Sequence, residues 1–189
     1  MPVIFLHKRS FAQRPSYAPP IYTGAQLIEA ALLDLKFRMA DACDIDALAQ
    51  LRWNLCTDDQ VSDAIAQQHF AAQFRTALSD INDQSLQVHL VAELNDMIIS
   101  VMSIVRVHKI PAPDELDGEW GYLTNVYTRM EWRNHGIGQQ LLEYAKQWAT
   151  ATGLELMAVW PSDRSFPFYQ RGGFQRAPDP LVWKPVDAK

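Results

Sequence analysis

The chain has 189 residues, 48% apolar, 11% aromatic and 21% charged, the composition of one folded domain and not of a disordered or fibrous chain. A formal net charge of −5 and a pI near 5.5 speak against a general nucleic-acid binder, which carries a basic face. No run reaches the roughly 20 apolar residues of a membrane span, and the start Met1-Pro2-Val3-Ile4-Phe5-Leu6-His7-Lys8-Arg9 puts its charges after a short apolar stretch, the reverse of a secretory signal.

In chain order, Pro15, Pro19 and Pro20 predict an extended opening. Thr23 can then cap a short helix through Leu35, with Ala25, Ile28, Leu32 and Leu35 on one face. Residues 1–34 therefore read as an N-terminal extension and 35–189 as the main domain. Within that domain, residues 35–39 read as a strand, and Asp41 or Asp44 can cap a helix carrying Ile45, Leu48, Leu51, Arg52 and Leu55. A second helix is expected over 62–78, where Ala66, Phe70, Phe74 and Ala77 recur at helical spacing and His69 reads as a surface or partly buried side chain and not as a ligand. Cys43 and Cys56, the only two cysteines, fall in this helical region. They are expected to be reduced, buried thiols in a cytoplasmic protein.

Residues 87–93 and 97–107 flank Leu94-Asn95-Asp96 as a hairpin. Pro111, Pro113 and Gly118 mark a loop over 108–118. A strand over 120–127 feeds a glycine loop, and a helix over 137–152 turns Ile137, Leu141, Leu142, Ala145, Trp148 and Ala149 inward before Gly153 ends it. Residues 154–160 read as a fully buried strand, 164–171 as a short helix, and 174–186 as a terminal β stretch interrupted by Pro178 and Pro180.

The chemistry-bearing feature is Arg133-Asn134-His135-Gly136-Ile137-Gly138 at the mouth of the long helix. Two glycines let backbone N–H groups approach a ligand, and the helix start adds partial positive charge, which together make an anion site. On the glycines alone, a tight turn opening an ordinary amphipathic helix serves equally well. The context adds more: the extended Val126-Tyr127-Thr128 lies upstream, and Ser162-Asp163-Arg164-Ser165-Phe166-Pro167-Phe168-Tyr169-Gln170-Arg171-Gly172-Gly173-Phe174 lies downstream.

With these residues the sequence resembles the GCN5-related N-acetyltransferase (GNAT) superfamily. Arg133, Gly136 and Gly138 satisfy its pattern Arg/Gln-x-x-Gly-x-Gly/Ala, and Ser162, Ser165, Phe168, Tyr169, Gly173 and Phe174 follow its later Asn-x-x-Ala-x-x-Phe-Tyr-x-x-x-Gly-Phe, with Ser in place of both Asn and Ala. Thr128 and Met130 stand where Val and Pro are commoner. The resemblance covers roughly residues 119–174. It implies an α/β GNAT fold, a mixed and mostly antiparallel central sheet flanked by helices on both faces.

The implied activity is acetyl-CoA-dependent transfer of an acetyl group to a primary amine of a small molecule or peptide, by direct attack on the thioester. The amides of Asn134, His135, Gly136, Ile137 and Gly138 are then expected at the pyrophosphate, with Arg133 either adding charge or bracing the loop. The backbone of Val126, Tyr127 and Thr128 is expected along the pantetheine, and Ser162 and Ser165 beside the coenzyme. Tyr169 matches the tyrosine that faces the coenzyme sulfur and is the candidate general acid. Glu119, on the strand leading to the loop, is the candidate general base, with Glu93 or a water chain as alternatives; counting back from Arg133, the expected position is nearer Tyr122. A non-catalytic acyl-CoA-binding or regulatory module is the alternative function, and homodimerisation stays open.

Other chemistries lack their residues. There is no Gly-x-x-x-x-Gly-Lys-Ser/Thr, the glycine run lacks the third glycine of a dinucleotide fingerprint, and Ser162 and Ser165 sit in no Gly-x-Ser-x-Gly elbow. His7, His69, His89, His108 and His135 show no paired spacing, so no metal is expected.

Overall fold

A computed structural model of the chain describes residues 32–60, 63–78, 80–81 and 83–177. Five strands form one sheet in the order β1 (Lys36–Met39), β2 (Gln87–Leu94), β3 (Met97–His108), β4 (Glu119–Thr128) and β5 (Met157–Ala158). The first three pairings are antiparallel and β4–β5 is parallel. Among the described residues four α-helices accompany them: α1 (Ile45–Cys56), α2 (Ala64–Ala77), α3 (Ile137–Ala151) and α4 (Phe166–Arg171). The mixed, mostly antiparallel α/β sheet expected from the sequence is thus observed.

Local chemistry accounts for the junctions. β2 and β3 are joined by Asn95 and Asp96, both in left-handed conformation at φ 49° and 60°, which matches the right-handed twist of a two-residue hairpin and suits these two residue types. Asp41 accepts from the Cys43 N–H and so caps a 3-10 turn, Ala42–Asp44, that leads into α1. Asp44 makes no side-chain cap on α1; its carboxylate instead takes two guanidinium hydrogen bonds from Arg38 at 2.6 and 2.9 Å. Asp63 caps α2 through the Ile65 N–H.

Alternation along the strands sets two faces. Val91, Val101 and Tyr127 pack against Leu48 and Leu51 of α1 on one face. Leu90, Met102, Ile104 and Leu123 alternate to the other and are fully buried, and there α3 lies across β2, β3 and β4. From α3, Ile137, Leu141, Leu142, Ala145 and Ala149 are buried, the large ones contributing roughly 1.5–3 kcal/mol each. Trp148, expected on this stripe, is half-buried. α2 buries none of its residues fully, and His69 on it is exposed.

Three sequence expectations are corrected. Cys43 and Cys56 are exposed free thiols, because one sits in the 3-10 turn ahead of α1 and the other on its last residue, past the stripe formed by Leu48, Ala49 and Leu51. The strand expected over 154–160 shrinks to Met157–Ala158, both half-buried, since β5 pairs with β4 only at Gly121–Met157 and Tyr122–Ala158 before the two diverge. Residues 174–177 form no strand, and the rest of that expected β stretch lies outside the described residues. The helix expected from Thr23 also lies outside them, apart from a 3-10 turn at Leu32–Asp34.

Candidate functional site

Where β4 and β5 diverge, the sheet opens into a cleft of about 860 Å³. One wall is β4 from Tyr122 to Thr128; the other is Val159, Trp160 and the turn and helix carrying Ser162, Ser165, Phe168 and Tyr169. Arg133, Asn134, Gly136, Ile137 and Gly138 of the glycine loop also line it, as does Leu55 of α1. Most of the residues singled out from the sequence therefore converge. His135 and Glu119 are not among the lining residues.

The glycine loop takes its shape from two left-handed residues, Asn134 at φ 65° and Gly136 at φ 76°. Gly136 is the residue before α3, and no side chain caps the helix start. The N–H groups of Ile137, Gly138 and Gln139 precede the first intrahelical bond, Gln140 N–H to Gly136 C=O at 3.0 Å, so they are donors at the positive end of the helix dipole. A Cβ on Gly138 would stand 3.4 Å from Thr128 Oγ1 and 3.5 Å from Phe168 Cε2. A longer side chain would project into the cleft.

Arg133 braces this loop. Its Nε donates to the Thr128 carbonyl at 2.9 Å and its Nη2 to Asp59 Oδ2 at 2.6 Å, while the guanidinium lies 5.3 Å from the centroid of the Tyr127 ring. Asp59 also accepts from the Tyr127 hydroxyl. Burial and then the Asp59 carboxylate hold the Tyr127 hydroxyl above the usual tyrosine range. Asp59 follows α1 in a turn where both it and Asp58 have positive φ. No local signal points from the sequence 57–60 to position 133.

β4 carries a bulge beside the cleft. Val101 pairs with Tyr127 and Ser103 with Thr124, leaving Asn125 and Val126 opposite Met102, and Asn125 takes φ 49°. The bulge bends the strand, and Asn125 and Val126 both line the cleft. Asn125 Nδ2 donates to Ser103 Oγ at 3.0 Å, which in turn is 2.7 Å from His89 Nδ1. Burial pushes His89 down to about 4, so its ring is neutral. Thr128, the departure from the family's Val, shares a 2.8 Å contact with Ser100 Oγ.

Tyr169 is buried between Phe168 and Phe174, with centroids at 5.0 and 5.7 Å and near-perpendicular rings. Burial, and secondarily the neighbouring Tyr122, push its hydroxyl up to about 12. Ser162 and Ser165 share a 3.0 Å Oγ–Oγ contact, and Ser165 Oγ also donates to the Ser162 carbonyl. Both therefore shape the turn before α4.

The candidate bases lie elsewhere. Glu119 receives Arg106 at 2.5 and 3.0 Å and pairs with His108 Nδ1. Glu93 is held by Arg38 at 2.6 Å. Tyr122, the position counted back from Arg133, does line the cleft, its ring edge-on to Trp160 at 4.9 Å. Sequence reasoning did not single out Asp59, Trp160, Arg164 or Arg171; the last three line the cleft. Among the described residues, no group of three or more His, Cys, Asp or Glu side chains could hold a metal ion, and no helix is long and apolar enough to cross a membrane.

A family model described as the acetyltransferase (GNAT) family matches residues 48–174. Among solved structures, a predicted acetyltransferase with acetyl-CoA from Clostridium acetobutylicum is 26% identical, with a TM-score of 0.61 over 79% of this chain and 96% of that one. A GCN5-related N-acetyltransferase from Ralstonia eutropha JMP134 shares the fold at 21% identity and a TM-score of 0.64, over 82% of this chain and 99% of that one. So does glucosamine-6-phosphate N-acetyltransferase from Arabidopsis thaliana, at 18% identity and 0.60, over 80% and 99%. No curated protein matches the sequence.

Proposed function

The chain belongs to the acetyltransferase (GNAT) family, and on that premise we propose that it transfers an acetyl group from acetyl-CoA to a primary amine of a small molecule or peptide. The observation that carries this reading is the cleft between β4 and β5, with backbone donors of α3 and three arginines, Arg133, Arg164 and Arg171, along its lining. A flexible thioester with a pyrophosphate fits such a groove, its phosphates at the helix start and its thioester toward Tyr169. The shallow cradle at Gly138, which a side chain would fill, supports the fit.

Each residue has a physical role in this scheme. The N–H groups of Ile137, Gly138 and Gln139 bind phosphate oxygens, and Arg133 holds the loop against β4. The bulge at Asn125 and Val126 presents β4 backbone to the pantetheine amides. The acceptor amine, as the free base, bonds to the thioester carbon, and the C–S bond breaks as the thiolate leaves. Tyr169 faces that sulfur. With its hydroxyl at about 12 against about 8.5 for an ordinary thiol, complete proton transfer is uphill, so Tyr169 steadies the leaving thiolate as a hydrogen-bond donor. Its ordinary general-acid role is thereby narrowed. Because Glu119 is tied up outside the cleft, the amine sheds its proton to water.

The displacement of Glu119 is also what favours the second reading, a non-catalytic acyl-CoA-binding module. Incubating the full chain with acetyl-CoA and an amine panel, and following free thiol and acetylated product by mass spectrometry, separates the two. We further propose that residues 1–34 are an extension apart from the chemistry, in line with a family match that begins at residue 48. Free thiols at Cys43 and Cys56 support a cytoplasmic setting.

A further inference from the structure

Resting on the acetyl-CoA reading, we propose that Arg164 binds a phosphate of the coenzyme and that Asp58 competes with that phosphate for its guanidinium, so that coenzyme entry exchanges one anion for another on Arg164. Three arginines line the cleft, and they are not equally available. Arg133 is spent on the fold: its Nε donates to the Thr128 carbonyl and its Nη2 to Asp59, and its guanidinium lies over the Tyr127 ring. Arg171 sits at the other end of α4. Arg164, on the turn before α4, keeps only a loose hold on the turn after α1.

That hold is made to be exchanged. Arg164 Nη1 lies 3.8 Å from Asp58 Oδ1, with the two side chains 81% and 71% exposed. A single long contact in open solvent shifts an equilibrium by at most about fivefold. A phosphate offers the same guanidinium two parallel charge-assisted bonds, so the exchange runs toward the phosphate. The competing carboxylate is meanwhile kept in place by its neighbour. Asp58 and Asp59 share one turn, at φ 50° and 59°, and Asp59, 8% exposed, is fastened by Arg133 and by the Tyr127 hydroxyl. Asp58 therefore does not follow Arg164 into the cleft.

The remaining charges near Arg164 do not replace it. Asp163 precedes it in the chain and is exposed, and Arg176 lies over the Phe166 ring at 4.8 Å. Neither lines the cleft. The free N–H groups at the start of α3 are neutral donors, whereas the coenzyme carries a pyrophosphate and a 3′-phosphate. Arg164 supplies positive charge from the wall opposite β4.

The test is calorimetric titration of CoA and of 3′-dephospho-CoA into the full chain, Arg164→Gln, Asp58→Asn and the double variant, all at one ionic strength because phosphate contacts are screened by salt. Asn tolerates the positive φ at position 58, so the turn is kept. Both positions are exposed, and melting without ligand should match wild type. Arg164→Gln is expected to weaken CoA about tenfold. Asp58→Asn is expected to tighten it about two- to fivefold, and to change nothing in the Arg164→Gln background. Simple repulsion between Asp58 and the coenzyme would survive in that background, so equal tightening there overturns the exchange. Loss confined to CoA puts the 3′-phosphate on Arg164, and equal loss for both ligands puts the pyrophosphate there. Unchanged CoA affinity in Arg164→Gln, or no tightening in Asp58→Asn, overturns the proposal and leaves coenzyme binding standing. CoA that fails to bind the wild-type chain overturns the acetyl-CoA reading itself, and the role of Arg164 with it.

Discussion

Asp59 and Arg133, 74 positions apart in the chain, meet with Nη2 and Oδ2 at 2.6 Å and tie the turn after α1 to the glycine loop. The side chains are 8% and 34% exposed, so the pair is screened less than a surface ion pair. It fixes the glycine loop, which lines the cleft, to the turn that follows α1.

Asp59→Asn keeps the size and removes the charge that receives both Arg133 and Tyr127. Urea denaturation is expected to show a loss of about 1–3 kcal/mol, accompanied by a several-fold rise in KM for acetyl-CoA as the loop loosens. An unaltered midpoint and KM would mean that the Nε bond to Thr128 braces the loop unaided.

Gly138→Glu places a side chain and a negative charge at the start of α3, beside Thr128 and Phe168. Acetyl-CoA at about 100 times its dissociation constant should stabilise the wild-type chain by roughly 2.7 kcal/mol, and this thermal shift should vanish in the variant. A folded Gly138→Glu protein that still responds to acetyl-CoA would remove the phosphates from the start of α3.

Tyr169→Phe deletes a hydroxyl while keeping the ring between Phe168 and Phe174. Single-turnover rates should fall by about 10²–10³-fold, as when one aligned donor to a developing anion is lost, with acetyl-CoA affinity within a few-fold. Full single-turnover activity would make Tyr169 a packing residue.

Glu119→Gln tests the base directly. With Glu119 bound to Arg106 and His108 outside the cleft, kcat/KM should stay within about threefold of wild type, because proton abstraction in the transition state is worth 10²–10⁴-fold only from a group in reach of the proton. A hundredfold drop at unchanged stability would return the base role to Glu119.

His89 gives the fold an acid limit. Its folded value of about 4 lies below the ordinary 6.5, so between these two pH values the unfolded chain binds a proton that the native one refuses. Stability therefore falls as pH drops from about 6.5 to about 4, by roughly 3 kcal/mol in total from this residue. Because carboxylates such as Asp44, held low by Arg38, also lose stability in acid, the measurement is the difference between wild type and His89→Gln across pH 4–7. Parallel curves would sink the assignment.

The reach of the sequence differs element by element. Asn95-Asp96 specifies its hairpin locally, because two adjacent residues tolerant of positive φ between alternating runs leave few other conformations. α3 is equally legible: its apolar stripe from Ile137 to Ala149 is long and periodic. Arg133, Gly136, Gly138 and Tyr169 could be named because loop and helix chemistry is written in consecutive residues. They do line one cleft.

What the sequence left undecided depends on which strands lie side by side. Glu119 looks like a base on a strand leading to the loop, yet β3–β4 register sets His108 opposite it and brings Arg106 within hydrogen-bond reach. Asp59 carries no signal of its own in the sequence; only the fold brings it within 2.6 Å of Arg133. Cys43 and Cys56 fit a helical region, but burial there depends on which turn of α1 meets the sheet. Helix, turn and loop preferences are carried by neighbours in the chain. The partners of a charged side chain are chosen by register and packing across dozens of residues, and only the folded sheet fixes those.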